Sequence, residues 1–348
     1  MGRTGIIGAV RTIASKPLNI IEIAKLAGVT KSTVSRVVQK QSGVAPETRA
    51  RVEHVIRVHH YRPSVFGRGL KGARTGLIGV LGRWMESGFT AEIIRGIDDE
   101  VKKRGGHLWC TFAPGIDEYI DFWRSFAGGG QVDGAILIAP PLDLYRQAVQ
   151  HGDKPTVLCA SKPPSSAKGW NTTGSLTVDN QTAMRNLVGH LVAKGYRRLV
   201  HLAGPPDILD GQERSKAFME SVSKHPHVTG TVLQGAWTAV LAKSVVHEYL
   251  HAHRQHPDAF VAFNDAVALG TIEVLKSMRI GIPEEICVTG WDDIPFSAFA
   301  GLSTVHLPMV EMGWEAARML FRKLDGKTRP DEAEHLTLDM PIQIRQTT

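Results

Sequence analysis

At 348 residues the chain is longer than one hydrophobic core usually organises. Its 43% apolar and 22% charged residues, without an apolar run of membrane-helix length, exclude a disordered chain and a helical membrane protein. The net charge of +7 hides a division, because residues 1–75 hold 14 Lys and Arg against 3 Asp and Glu, whereas the rest holds 27 against 31. A compact basic end on a mildly acidic body is the footprint of a polyanion binder, since each neutralised phosphate releases condensed counterions.

Residues 1–17 read as a disordered leader. Their apolar stretch GIIGAV is short, is followed at once by Arg11 and lacks a small-residue cleavage site, so a cytoplasmic location is expected. In NIIEIAKLAGVTKSTVSRVVQ, Asn19 is placed to cap a helix over 20–26, with Glu22 three residues on and Ile23, Ala24 and Leu26 as its apolar face. Gly28 supplies the positive φ of a tight turn, and Ala24 leaves room for a second helix to cross. Thr30 caps that helix, over 31–39. Val34, Val37 and Val38 recur at helical spacing and face inward, leaving Lys31, Ser32, Ser35 and Arg36 outside, where they can reach a major groove. A third helix near 46–60 starts on Pro46 and Glu47 and buries Val52, Val55 and Ile56. With this charge and glycine placement, a DNA-binding helix-turn-helix is preferred to a three-helix protein-interaction module.

From residue 76, strand-like runs at 77–81, 107–113, 134–139, 157–160, 198–204, 260–265 and 286–293 alternate with helix-length segments. The pattern argues for parallel α/β sheets that bind ligands at strand carboxyl ends. Cys110, Cys159 and Cys287 lie far apart in such runs and read as buried free thiols. Trp237, after GTVLQGA, can stack on the C–H face of a sugar or fill a core, and spacing alone favours the core. His247, Glu248 and His251 spell H-E-x-x-H, the pattern of a zinc peptidase, with His253 and His256 as further possible ligands. No Gly-rich phosphate loop or convincing nucleophile triad accompanies it.

The strings IAKLAGVTKSTVSRVVQ, ETRARVEHVIRVHHYRPS and GRGLKGARTGLIGVL closely resemble the lactose/galactose repressor (LacI/GalR) family, over nearly the whole chain after the leader. The resemblance implies an all-α helix-turn-helix DNA-binding domain at 18–62 and a hinge helix and linker at 63–75. It also implies an α/β two-lobed periplasmic-binding-protein-like effector and dimerisation domain at 76–348, with lobes 76–178 plus 307–340, and 179–306. By motif position, Lys31, Ser32 and Arg36 take base contacts, and Thr30, Thr33 and Ser35 lie near phosphates. Arg36, with its bidentate fork, suits a guanine. Residues 63–71 then fold only on DNA, with Leu70 wedged into the minor groove.

In the body the same resemblance places Phe89, Thr90, Ser161, Arg214, Trp237, Asn264 and Asp292 around the effector. The structural alternative is that Asn264 and Asp292 merely cap helices. Several positions depart from the family pattern. Gly67 and Gly69 replace better helix formers in the hinge, and Ala45 stands where a capping Ser is usual. Ala160 replaces a ligand-binding Asp, Leu307 replaces a Gln, and Arg83 and Trp84 are unusual, so that an acidic sugar meeting Arg83 and Arg214 is one expectation.

The expected function is a sequence-specific transcription regulator, a repressor without enzymatic activity, cofactor or resident metal. It is expected to bind a near-palindromic double-stranded DNA operator as a homodimer, to respond to a small-molecule effector, a sugar or sugar acid, and to make no membrane contact. A solute-binding receptor is the alternative, but it needs an export signal and has no use for the basic motif. A zinc peptidase is a distant third, because the family fold puts the H-E-x-x-H helix on an outer surface.

Overall fold

The computed structural model describes residues 18–38, 41–59, 61, 74–85, 88–128, 130–147, 154–164, 170, 173–328 and 333–348. The leader and the hinge positions Gly67, Gly69 and Leu70 lie outside them. The chain divides into two compact units, Met1–Ala73 and Arg74–Thr348.

In the first unit, α1 (Ile20–Ala27), α2 (Lys31–Val38) and α3 (Pro46–Val58) enclose a small core of Ile23, Ala24, Ala27, Val34, Val37 and Val52. The Asn19 side chain accepts from the backbone N–H groups of Ile21 and Glu22, and the Glu22 carboxylate accepts from Asn19 N at 2.6 Å, a complete capping box. Gly28 ends α1 at φ 62°, where any other residue would be strained. Leu26, expected on the apolar face, is instead 53% exposed. Positions 23, 24 and 27 make the buried stripe, and residue 26 lies about 110° round the helix from its centre. Ala45 leaves α3 without a side-chain cap, but Arg51 on α3 donates from Nε to Ala27 O at 2.9 Å and satisfies the end of α1.

The second unit holds two six-stranded sheets. The first is entirely parallel, in the order β11-β5-β4-β3-β1-β2, from β1 (Leu77–Gly82), β2 (His107–Phe112), β3 (Gly134–Ile138), β4 (Thr156–Cys159), β5 (Gly174–Val178) and β11 (His335–Leu338). The second runs β12-β10-β9-β8-β6-β7, from β6 (Arg198–Leu202), β7 (Thr229–Leu233), β8 (Ala259–Ala262), β9 (Cys287–Asp292), β10 (Ser303–His306) and β12 (Ile342–Gln343), with only β12 antiparallel. β5, β7, β10, β11 and β12 were not expected from the sequence. They are short, and runs such as GSLTV and TGTVL hold too few large apolar residues to stand out.

Two glycines set the packing of the first lobe. The helices α4 (Gly88–Lys103) and α12 (Met309–Leu324) meet at Gly96 and Gly313. A Cβ on Gly96 would come 2.1 Å from Val310 O, and one on Gly313 would come 2.1 Å from Ile93 O. After β5, β10 and β11 the chain passes from one lobe to the other.

Candidate functional site

The exposed face of α2 carries the expected DNA-reading residues. Lys31, Ser32 and Arg36 are exposed, as is Thr30 just before the helix, whereas Thr33 and Ser35 are half-buried. Thr30 Oγ1 accepts from Thr33 N at 3.3 Å and pairs with the hydroxyls of Ser32 (2.8 Å) and Thr33 (3.0 Å). It is thus the helix cap, and it holds these hydroxyls around the N-terminus. The first turn has no acidic residue and the last carries Arg36, so helix dipole and side-chain charge both favour an anion.

In the body, a cleft of about 570 Å³ opens between the two lobes. Its walls come from residues just beyond the carboxyl ends of strands in both sheets: Arg83 and Trp84 after β1, Ala139 after β3, Ile208 after β6, Trp237 after β7, Asn264 after β8, and Ile294 and Phe296 after β9. Sheet order reverses direction at β1/β3 in one lobe and at β6/β8 in the other, the crevices where open α/β sheets bind ligands.

The cleft floor is a buried charged cluster. Arg214, on α8 (Leu209–Val222), is 2% exposed. It donates from Nη1 to Phe263 O at 2.8 Å and from Nε to Asn180 Oδ1 at 3.0 Å, and pairs through Nη2 with Asp210 at 3.4 Å. Its guanidinium carbon lies 4.6 and 4.8 Å from the ring centroids of Trp291 and Phe263. Asp292, at φ 111°, holds a carboxylate oxygen 3.8 Å from Arg214 Nη1. Burial drives the Asp292 pKa well above the usual carboxylate range; Arg214 opposes the shift, and Asp265 and Asp210 add to it. Asp265, beneath, is pushed up to about 6 by burial, against hydrogen bonds from Ser297, Thr304 and Ile294 N. A protonated Asp292 can donate to a ligand hydroxyl as well as accept from one.

Asn264 has two duties. Its Oδ1 accepts from Val267 N at 2.8 Å and caps α10 (Asp265–Ser277), while the residue also lines the cleft. Trp237 is half-buried and lines the cleft, as do Phe89 and Thr90 in the first turn of α4. Six of the seven expected effector residues therefore meet at one cavity. Ser161 does not line it. Its hydroxyl bonds that of buried Tyr145 at 2.8 Å beneath the first-lobe sheet.

At the mouth, Arg83 donates from Nη1 to the Asp207 carboxylate at 2.7 Å and from Nη2 to Pro114 O at 3.0 Å, and stacks 4.4 Å over Trp84. Arg83 follows β1 in one lobe and Asp207 follows β6 in the other, so this bridge spans the cleft. Leu142 N does the same, donating to Asp207 O at 2.7 Å. Both arginines expected to meet an acidic ligand are thus matched by carboxylates already. Sequence reasoning missed Asp207, Asp210 and Asn180. The run GPPDILDGQER, with Asp207 and Asp210 soon after a strand and Asp210 four residues before Arg214, is where the two carboxylates were legible; Asn180 lies on a separate helix.

His247, Glu248 and His251 lie on α9 (Ala239–Ala252), and none lines the cleft. Among the described residues no group of three or more His, Cys, Asp or Glu is arranged to hold a metal, so the pattern lacks the third ligand of a zinc peptidase.

Residues 19–64 match the model of bacterial regulatory proteins, lacI family, and residues 188–348 match that of the periplasmic binding protein-like domain. The HTH-type transcriptional repressor PurR of Aliivibrio fischeri (strain MJ11) is 28% identical over 320 residues, covering 88% of this chain and 92% of that protein. The ribose operon repressor of Escherichia coli (strain K12) is 27% identical over 329 residues, covering 91% and 96%. Among solved structures, the lac repressor dimer bound to operator and the anti-inducer ONPF superposes with a TM-score of 0.82 at 22% identity, over 96% of this chain and 99% of that one. The transcriptional regulator CelR–cellobiose complex superposes with a TM-score of 0.70 at 25% identity, over 95% and 100%. A helix-turn-helix and a two-lobed sensor in one chain, matched by relatives along nearly their whole lengths, place this protein in the LacI family of DNA-binding transcription regulators.

Proposed function

We propose that the chain is a repressor whose operator affinity is set by a neutral, hydroxyl-rich small molecule, a sugar in type, bound between the lobes. The observation that carries this reading is the charge balance of the cleft. Arg83 is paired with Asp207 and Arg214 with Asp210, so among the described cleft residues no cation is left over for a ligand carboxylate. A sugar acid, expected from the sequence, is for that reason disfavoured. Trp237 and Phe89 offer apolar ring faces to C–H groups, and Asp292, Asn264 and Thr90 offer hydrogen bonds to hydroxyls. The sugar in the CelR complex supports the same class.

In this reading α2 lies in a major groove, with Lys31, Ser32 and Arg36 on bases and Thr30, Thr33 and Ser35 near phosphates. Leu70, outside the described residues, serves as the minor-groove wedge. The division into a DNA-reading domain at 18–62, a hinge at 63–75 and an effector body at 76–348 belongs to the same proposal. Two copies read a near-palindromic operator in the cytoplasm, since one three-helix module buries little surface and each mismatch discriminates by only ~1–3 kcal/mol. The chain acts by binding and not by catalysis. No helix among the described residues is long and apolar enough to cross a membrane.

Thermal-shift screening of the full chain against neutral sugars, sugar acids and nucleosides tests the ligand class. Saturable stabilisation by a neutral sugar that also changes affinity for an operator selected from random duplexes is expected. Stabilisation by anionic ligands alone would refute the charge argument.

A further inference from the structure

The helix Ala239–Ala252 presents His247 and His251 one turn apart, both exposed, with Nε2 atoms 3.1 Å from each other and ring centroids 4.3 Å apart. Two imidazole nitrogens bound to one cation at its usual bond length, at angles between square-planar and tetrahedral, stand roughly 2.9–3.4 Å apart. The observed separation therefore fits a shared ion without movement of the backbone. We propose that His247 and His251 form a two-nitrogen chelate for a late first-row divalent cation, tightest for Cu(II) and weaker for Ni(II) and Zn(II), as imidazole ligands and the Irving–Williams order require.

The neighbours define what kind of site this is. Glu248 projects about 100° round the helix from His247 and forms no three-residue metal group with the pair. His253 is tied back, its Nδ1 donating to Tyr249 O at 2.8 Å and its ring stacked on Tyr249 at 4.2 Å. Water must then complete the coordination sphere. The site is a surface chelate that ties one turn of the helix to the next, and it is separate from the effector cleft, whose lining includes neither histidine.

The test is calorimetric titration of the full chain with Cu(II), Ni(II) and Zn(II), with electron paramagnetic resonance of the Cu(II)-loaded protein, on wild type, His247→Asn, His251→Asn and Glu248→Ala. One Cu(II) equivalent with two-nitrogen hyperfine structure is expected in wild type and in Glu248→Ala. Each histidine variant should lose that equivalent or bind it about 100-fold more weakly, because one nitrogen no longer raises the local concentration of the other. Circular dichroism should be unchanged throughout, both side chains being exposed. Wild-type Cu(II) affinity in either histidine variant, absence of that equivalent from wild type, or an equal loss in Glu248→Ala would overturn the proposal.

Discussion

Arg214 sits so deep that its removal tests the fold before it tests ligand binding. Arg214→Ala would strand the buried Asp210 carboxylate without its cation, a loss of about 3–5 kcal/mol that a thermal melt would register. Asp292→Asn keeps the volume and leaves Arg214 paired with Asp210, so it should remove the effector response while leaving the melting temperature close to wild type. His201 provides a pH test. Burial lowers its pKa to about 4; Arg214 adds to the shift, and the bond from Nδ1 to Val261 O opposes it. A base whose folded pKa is depressed contributes stability that is present above the unfolded value of about 6.5 and disappears as pH falls toward 4, here roughly 3 kcal/mol. His201→Phe, stacking on Phe218 as the imidazole does, should flatten that part of the stability–pH curve. A denaturant series between pH 7 and 4 that showed the same slope in both proteins would contradict it. At this scale Arg214 was legible only through the family motif. Its partner Asn180 comes from another helix, brought close by folding, and Ser161 was misplaced because position after a strand does not say which side of the sheet a side chain takes.

Among the elements, the crossing of α4 and α12 leaves no room for a side chain at its two glycines. Gly96→Ala or Gly313→Ala would drive a methyl into a backbone carbonyl, and a cost of at least ~1–3 kcal/mol in the stability of the body is expected from differential scanning calorimetry. The bare N-terminus of α3 points the other way. Ala45 already has non-helical angles (φ −56°, ψ 141°), so Ala45→Ser should add a cap and stabilise the first unit by about 0.5–1 kcal/mol. The three helices of that unit were readable because Asn19, Gly28, Thr30 and Pro46 each mark a boundary through local chemistry. The strands β5, β7, β10, β11 and β12 were not, because their runs are short and hold few large apolar residues.

For the whole molecule, the charge division visible in composition separates the two jobs: a basic reading head and a body whose two cleft arginines are each paired with a carboxylate. The bridge between Arg83 and Asp207 is a side-chain link across the cleft beside the backbone bond from Leu142 N to Asp207 O, so Asp207→Asn should weaken the closed state and let the lobes open further in the absence of ligand. Small-angle scattering should then show a larger radius of gyration that effector restores, and an unchanged radius would argue against the bridge as a latch. The central claim is that occupancy of the cleft around Asp292 sets the affinity of α2 for DNA. It is tested most directly by fluorescence-anisotropy titration of a selected operator with wild type and Asp292→Asn, with and without the stabilising sugar. The expected result is a change of about 5–150-fold in wild-type operator Kd on adding sugar, and an unresponsive variant with wild-type Kd. A variant that responds like wild type, or one that stays folded and dimeric but no longer binds operator, would contradict it.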